Sequence, residues 1–129
     1  MSLNDPIADA LNCINNAENV AKRSCMLNYS KFLENVLGVL KIEGYINQYK
    51  ILDKKPSKKI IVYLSGKINE CRAIKPRFAV KHSDYEKFEK SFLISRDIGS
   101  ILVSTTKGLM THRNAKKESL GGRLIAYVY

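Results

Sequence analysis

Apolar side chains at Ile7, Ala10, Leu11, Ile14 and Ala17 recur every three or four positions, which predicts an amphipathic first helix. Asp5 is placed to cap its free amides and Pro6 fits the first helical position. Asn12, Asn15, Asn16 and Asn19 form the opposite face, expected to be solvated, and Cys13 lies beside the stripe as a small hydrophobe. Lys22 to Leu27 then reads as a short edge strand. Asn28-Tyr29-Ser30 breaks it, and Ser30 caps a second helix presenting Leu33, Val36, Leu37 and Leu40. Gly44 ends that helix in a left-handed cap. Two strands follow, Ile46–Leu52 and Ile60–Leu64, joined by a lysine-rich loop. The second is apolar on both faces, so it is expected inside a sheet covered on both sides. The first 66 residues therefore read αβαββ.

Ser65-Gly66-Lys67 is the boundary, giving an N-terminal subdomain over 1–66 and a sheet-rich C-terminal one over 67–129. Beyond it, Ile68–Ile74 and Phe78–Val80 are strand-like, and Pro76 pins a basic corner between Lys75 and Arg77. Ser83-Asp84-Tyr85-Glu86 has the capping-box pattern and opens a short helix with Tyr85, Phe88 and Phe92 inward. Arg96-Asp97-Ile98-Gly99 turns the chain into a strand, Ile101-Leu102-Val103. Thr111 caps a last short helix running to about Ser119, with Lys116 and Lys117 at its favourable end. Gly121-Gly122 stops it, and residues 123–129 close as a strand. The fold class is α+β: two small α+β subdomains packed together.

Composition adds a sign. A chain of 129 residues with 45% hydrophobic side chains is globular, yet it carries 22 Lys+Arg against 12 Asp+Glu, a net +10. Residues 1–66 hold +3 and residues 67–129 hold +7, so an anionic partner is expected, facing the second half. The N-terminus shows no basic region leading into an apolar core, and no apolar run is long enough to span a bilayer. Three cysteines, at 13, 25 and 71, make no disulfide framework and suit a reducing cytoplasm.

The stretch that carries chemistry is Val103-Ser104-Thr105-Thr106-Lys107-Gly108, where a strand empties into three hydroxyls, a cation and a glycine. Such a tip presents donors to phosphate oxygens, sugar hydroxyls and base edges. It also reads as a hairpin turn in which Ser and Thr bond their own backbone and Gly108 takes a positive φ. Catalytic constellations fail. Lys107-Gly108 inverts the Gly-Lys order of a phosphate-binding loop, and His82 and His112, thirty positions apart, have no metal-ligand spacing. A Ser104–His112–Asp97 triad lacks a nucleophile elbow and an oxyanion hole. Both histidines are expected at the surface.

The segment from Gly99 to Lys116, with 101–111 inside it, resembles the signature of the universal small-subunit ribosomal protein eight family. Further matches run in order: residues 5–11, Ile14-Asn15-Asn16-Ala17, Ser30-Lys31, Glu43-Gly44-Tyr45-Ile46, Gly121-Gly122-Arg123 and 126–129. Residues 74–78, the 85–90 helix and Arg123 are similar to an archaeal-type member. Met26–Tyr29, the residues around Cys71, and Ile94 depart from that pattern.

The resemblance implies a structural ribosomal protein, not an enzyme and needing no cofactor. It would bind a helix of the central domain of small-subunit ribosomal RNA, organise its assembly and meet neighbouring ribosomal proteins, as a monomer when free. On that reading Ser104, Thr105 and Thr106 touch an irregular part of the RNA helix, with Lys107 and Gly108 completing the motif. Gly121 and Gly122 permit close approach beside Arg123, and Ser30 and Lys31 contribute from the second helix. Lys75, Arg77, Lys81 and Arg96 add affinity. The alternatives are a free-standing RNA-binding translational regulator, or a structural protein that binds acidic protein partners.

Overall fold

The computed structural model describes residues 6–53, 58–74, 77–93 and 98–129. The Asp5 cap, residues 54–57 of the lysine loop, Lys75, Pro76, Ile94, Arg96 and Asp97 lie outside the described residues. The chain divides into two units, one ending at Cys71 and the other beginning at Arg72.

The first unit runs α1 (Pro6–Asn19), β1 (Ser24–Asn28), α2 (Lys31–Ile42), β2 (Ile46–Leu52) and β3 (Lys59–Leu64), the αβαββ order of the hydrophobic pattern. β3 lies between β1 and β2 and is antiparallel to both, so β1 is the expected edge. The second helix starts where its cap predicts: Ser30 Oγ accepts the Leu33 N–H at 3.0 Å. α1 packs on β1, α2 on β2, and the two helices touch, so both cover one face of the sheet. That face buries Leu27, Ile60 and Val62 against Leu11, Ile14, Val36 and Leu37. Ile61 and Tyr63 point the other way and are only half-buried, so β3 is central but not covered on both sides as its composition suggests. Asn15 is also buried, rather than solvated, because it stands four residues after Leu11 at the edge of the apolar stripe.

Residues 68–71 belong to the first unit. The Ile68 N–H donates to Glu18 Oε2 at 3.3 Å and the Cys71 thiol to the Leu11 carbonyl at 3.3 Å, tying this stretch back to α1. The strand expected over 68–74 is therefore reduced to β4 (Cys71–Ala73).

The second unit adds β5 (Ala79–Val80), α3 (Tyr85–Phe92), β6 (Ser100–Thr105), β7 (Gly108–Thr111), α4 (His112–Lys117) and β8 (Gly122–Val128). The sheet order is β4-β8-β6-β7, with β5 also paired to β8. Ile101, Val103 and Leu124 meet Tyr85 of α3 and Ala115 of α4 in its core, and Phe88 and Phe92 pack against them. The capping box before α3 does not form. Asp84 precedes the helix without a side-chain cap, and its Oδ2 instead accepts the Lys81 N–H at 3.2 Å.

Three helices share one ending. Lys22 N–H reaches Ala17 O at 2.9 Å, Tyr45 N–H reaches Leu40 O at 2.9 Å, and Leu120 N–H reaches Ala115 O at 2.9 Å. The preceding residues, Ala21, Gly44 and Ser119, take φ of +58°, +86° and +54°. This is the double-bonded left-handed cap that satisfies orphan carbonyls. Only the middle one has the glycine that makes the geometry free of steric penalty.

Candidate nucleic-acid interface

β6 is an interior strand, paired with β7 on one side and β8 on the other, and Ser100 to Val103 are buried. Its ladder to β7 ends at the Leu102–Thr111 pair. Thr111 there turns into a cap, its Oγ1 accepting the Asn114 N–H at 3.4 Å, and α4 begins. Where the ladder stops, a side chain replaces it: His112 Nδ1 accepts the Ile101 N–H at 3.1 Å. The proton of the neutral ring therefore sits on Nε2, which lies 3.0 Å from Glu89 Oε1 on α3. The same carboxylate oxygen takes the Lys116 ammonium at 2.7 Å.

His112 is fully buried, not at the surface as its polarity suggested; His82 is exposed. Burial, then Arg113, push the His112 pKa down to about 4 against the opposing pull of Glu89. The direction agrees with geometry, since protonating Nδ1 would forfeit the bond from Ile101. The Ile101–His112 hydrogen bond thus ties α4 to β6 and the Lys116–Glu89 bond ties α3 to α4, while the carboxylate stands beside Nε2 without the alignment of a hydrogen bond. Sequence reading passed over Glu89, although it falls four residues after Tyr85, on the predicted inward side of α3.

At its far end β6 rises out of the core. Thr105 pairs with Gly108, and Thr106-Lys107 make the turn between them. The Thr105 hydroxyl donates to the Gly108 carbonyl at 2.8 Å and accepts the Lys107 N–H at 3.2 Å. With Gly108 at φ +111°, the hairpin-turn reading holds for these two residues. The Ser104 and Thr106 hydroxyls differ: neither makes a hydrogen bond among the described residues, and Thr106 is exposed. Lys107 reaches Glu118 at 3.8 Å, a pair too exposed to contribute much.

Register places the flanking residues. Ser104 faces Arg123 on β8, and Arg123 in turn faces Ala79 on β5. Directly opposed residues share a face, so the exposed Arg123 side chain leaves the sheet on the same face as the Ser104 hydroxyl. One step along, Thr105, Gly122 and Val80 make the next row, after which Lys81 emerges, exposed.

The double glycine permits a close approach within the chain itself. A Cβ on Gly122 would lie 2.1 Å from the Ser104 carbonyl oxygen, and one on Gly121 would lie 2.5 Å from that of Val80. Tyr85, fully buried, fixes the same corner by donating from its Oη to the Leu120 carbonyl at 2.9 Å. Burial raises its pKa, which keeps the phenol a donor.

One end of this sheet therefore gathers Ser104, Thr105, Thr106, Lys107, Gly108, Gly121, Gly122, Arg123 and Lys81. Arg77 is exposed two residues before β5, whereas Lys75 and Arg96 lie outside the described residues. Ser30 and Lys31 belong to the first unit, where the Ser30 hydroxyl is occupied by its own helix and Lys31 is exposed. Among the described residues no group of three or more His, Cys, Asp or Glu side chains is arranged to hold a metal.

A family model described as Ribosomal protein S8 matches residues 5–129, nearly the whole chain. That family is structural and not enzymatic, and its members bind ribosomal RNA and other proteins of the small subunit in translation. The chain belongs to the ribosomal protein S8 family.

Proposed function

We propose that this chain, an archaeal-type member, recognises an irregular helix in the central domain of small-subunit ribosomal RNA and organises that domain's assembly. It would enter assembly as a monomer, in the cytoplasm. The second unit would carry most of the recognition. The observation that supports this is the pair of hydroxyls, Ser104 on a strand paired on both sides and Thr106 in the turn that follows it, neither hydrogen-bonded among the described residues, with Arg123 in register opposite Ser104.

A regular RNA double helix displays little sequence information, so a specific protein must read distorted pairs, 2′-hydroxyls and backbone shape. Short hydroxyl side chains on a fixed backbone suit that task, because they donate and accept within reach of the groove. Arg123, Lys107, Lys81, Arg77, Lys75 and Arg96 would supply phosphate contacts and on-rate. Gly108, Gly121 and Gly122 add no bulk between the RNA and the backbone. Ser30 would act through its cap, holding the start of α2 and Lys31 in place. Thr105 has a different part from its neighbours: its hydroxyl builds the turn that presents them.

Hydroxyl-radical footprinting of the purified protein on naked small-subunit ribosomal RNA tests this reading. Protection confined to an irregular central-domain helix, weakened by a Ser104→Ala/Thr106→Ala double variant, is the expected result. Protection elsewhere, or a footprint the double variant leaves intact, would overturn it.

A further inference from the structure

The first unit has a surface that the reading above leaves unused. Its helices cover one face of the three-stranded sheet, and among the described residues no helix or strand of that unit covers the other. Register fixes what this outer face displays. One row is Ser24, Tyr63 and Gln48, with the aromatic ring on the central strand between a hydroxyl and a carboxamide. The next is Met26, Ile61 and Lys50, in which Met26 is 54% exposed although it is apolar. The third is Asn28, Lys59 and Leu52, where the Lys59 ammonium is anchored by the Asn28 side-chain carbonyl. Lys50 and Lys59 are the charged residues of these rows, and no carboxylate stands among them.

We infer that this face is a second RNA-binding surface, one that takes unpaired nucleotides by stacking a base on Tyr63. Three features point to that occupant. A half-exposed aromatic ring between Ser24 and Gln48 offers a π-face with hydrogen-bonding groups at its edges, the arrangement with which sheet surfaces hold splayed-out bases. Met26 and Ile61 extend the apolar platform by one row, far enough to meet a second base. The charges are of one sign, complementary to a phosphate backbone and unsuited to a cationic peptide. The surface differs in kind from the hydroxyl tip: it is flat, aromatic and tolerant of sequence, and it would hold a single strand rather than a distorted stem.

The test uses the full chain with two probes, a decauridylate carrying one 4-thiouridine and a decaglutamate peptide as the anionic control. Saturable binding of the decauridylate is expected, with photocrosslinks in β1 or β3. Tyr63→Ala should weaken it by roughly tenfold or more, while Tyr63→Phe retains it. Lys50→Gln, at an exposed position, should weaken it several-fold and flatten its salt dependence. Ser104→Ala/Thr106→Ala should leave it unchanged, which separates this surface from the stem-binding tip. Crosslinks confined to the second unit, unaltered binding by folded Tyr63→Ala and Lys50→Gln, or equal competition by decaglutamate would each overturn the inference.

Discussion

In the first unit, β3 is held by a ladder on either side and by apolar burial on one face. In the second, β6 also has two ladders, and in addition His112 accepts the Ile101 backbone N–H beyond the end of the β7 ladder, with the Glu89–Lys116 pair packed beside the ring. Apolar burial holds a strand in place but tolerates small displacements, whereas bonds to a backbone amide fix position and direction. The difference matches what each strand presents. β3 offers a broad face, for which fractions of an ångström matter little. β6 carries Ser104 and leads into Thr106 of the turn, two short hydroxyls that, on the proposed function, would meet RNA groups at hydrogen-bond distance.

The sharpest way to break the comparison is to disturb a glycine in each unit. Gly122→Ala drives a Cβ into the Ser104 carbonyl, so β8 and β6 must part; a loss of about 3 kcal/mol is expected from urea denaturation. Gly44→Ala keeps its positive φ but meets nothing within 4 Å, and should lose about 1 kcal/mol. Equal losses would mean that the β6–β8 contact is no tighter than a solvent-facing turn.

Acid probes the brace itself. His112 has an ordinary pKa of 6.5 and a folded one of about 4. Between those values the unfolded chain binds the proton and the folded chain does not. Its contribution is thus fully present above pH 6.5 and disappears as pH falls to 4, by up to about 3 kcal/mol. Urea midpoints measured at pH 7 and pH 4.5 should fall for the native chain and move much less for His112→Gln. Glu89→Ala, which strands the half-exposed Lys116 and the buried ring, should lower stability by about 2 kcal/mol at pH 7. The smallest effect is expected at the turn. Thr105→Val removes two hairpin bonds and should lower stability by about 1 kcal/mol.

Much of the fold was legible because it follows from period and punctuation. The stripe from Leu33 to Leu40, the Ser30 and Thr111 caps and the left-handed Gly44 each carry a local signal, and each is observed. Long-range matters were less visible. Nothing local says that α1 and α2 fall on the same side of the sheet, leaving Ile61 and Tyr63 half-exposed. Nor does His112 announce burial, since its acceptor role depends on where β7 stops and its partner Glu89 is 23 positions away. Left-handed caps at Ala21 and Ser119 are hidden because neither residue is glycine. Of the candidate site, the residue types were readable as a cluster. The division of labour between Thr105 and its two neighbours was not, because a hydroxyl's partner is decided by turn geometry.

That division is tested most directly by titrating the full chain onto a central-domain ribosomal RNA fragment over a range of salt concentrations. The Ser104→Ala/Thr106→Ala variant should bind roughly tenfold or more weakly at every concentration, with the slope of log K against log salt unchanged. Unchanged affinity, or a loss that shows only as a shallower slope, would contradict recognition by the two free hydroxyls.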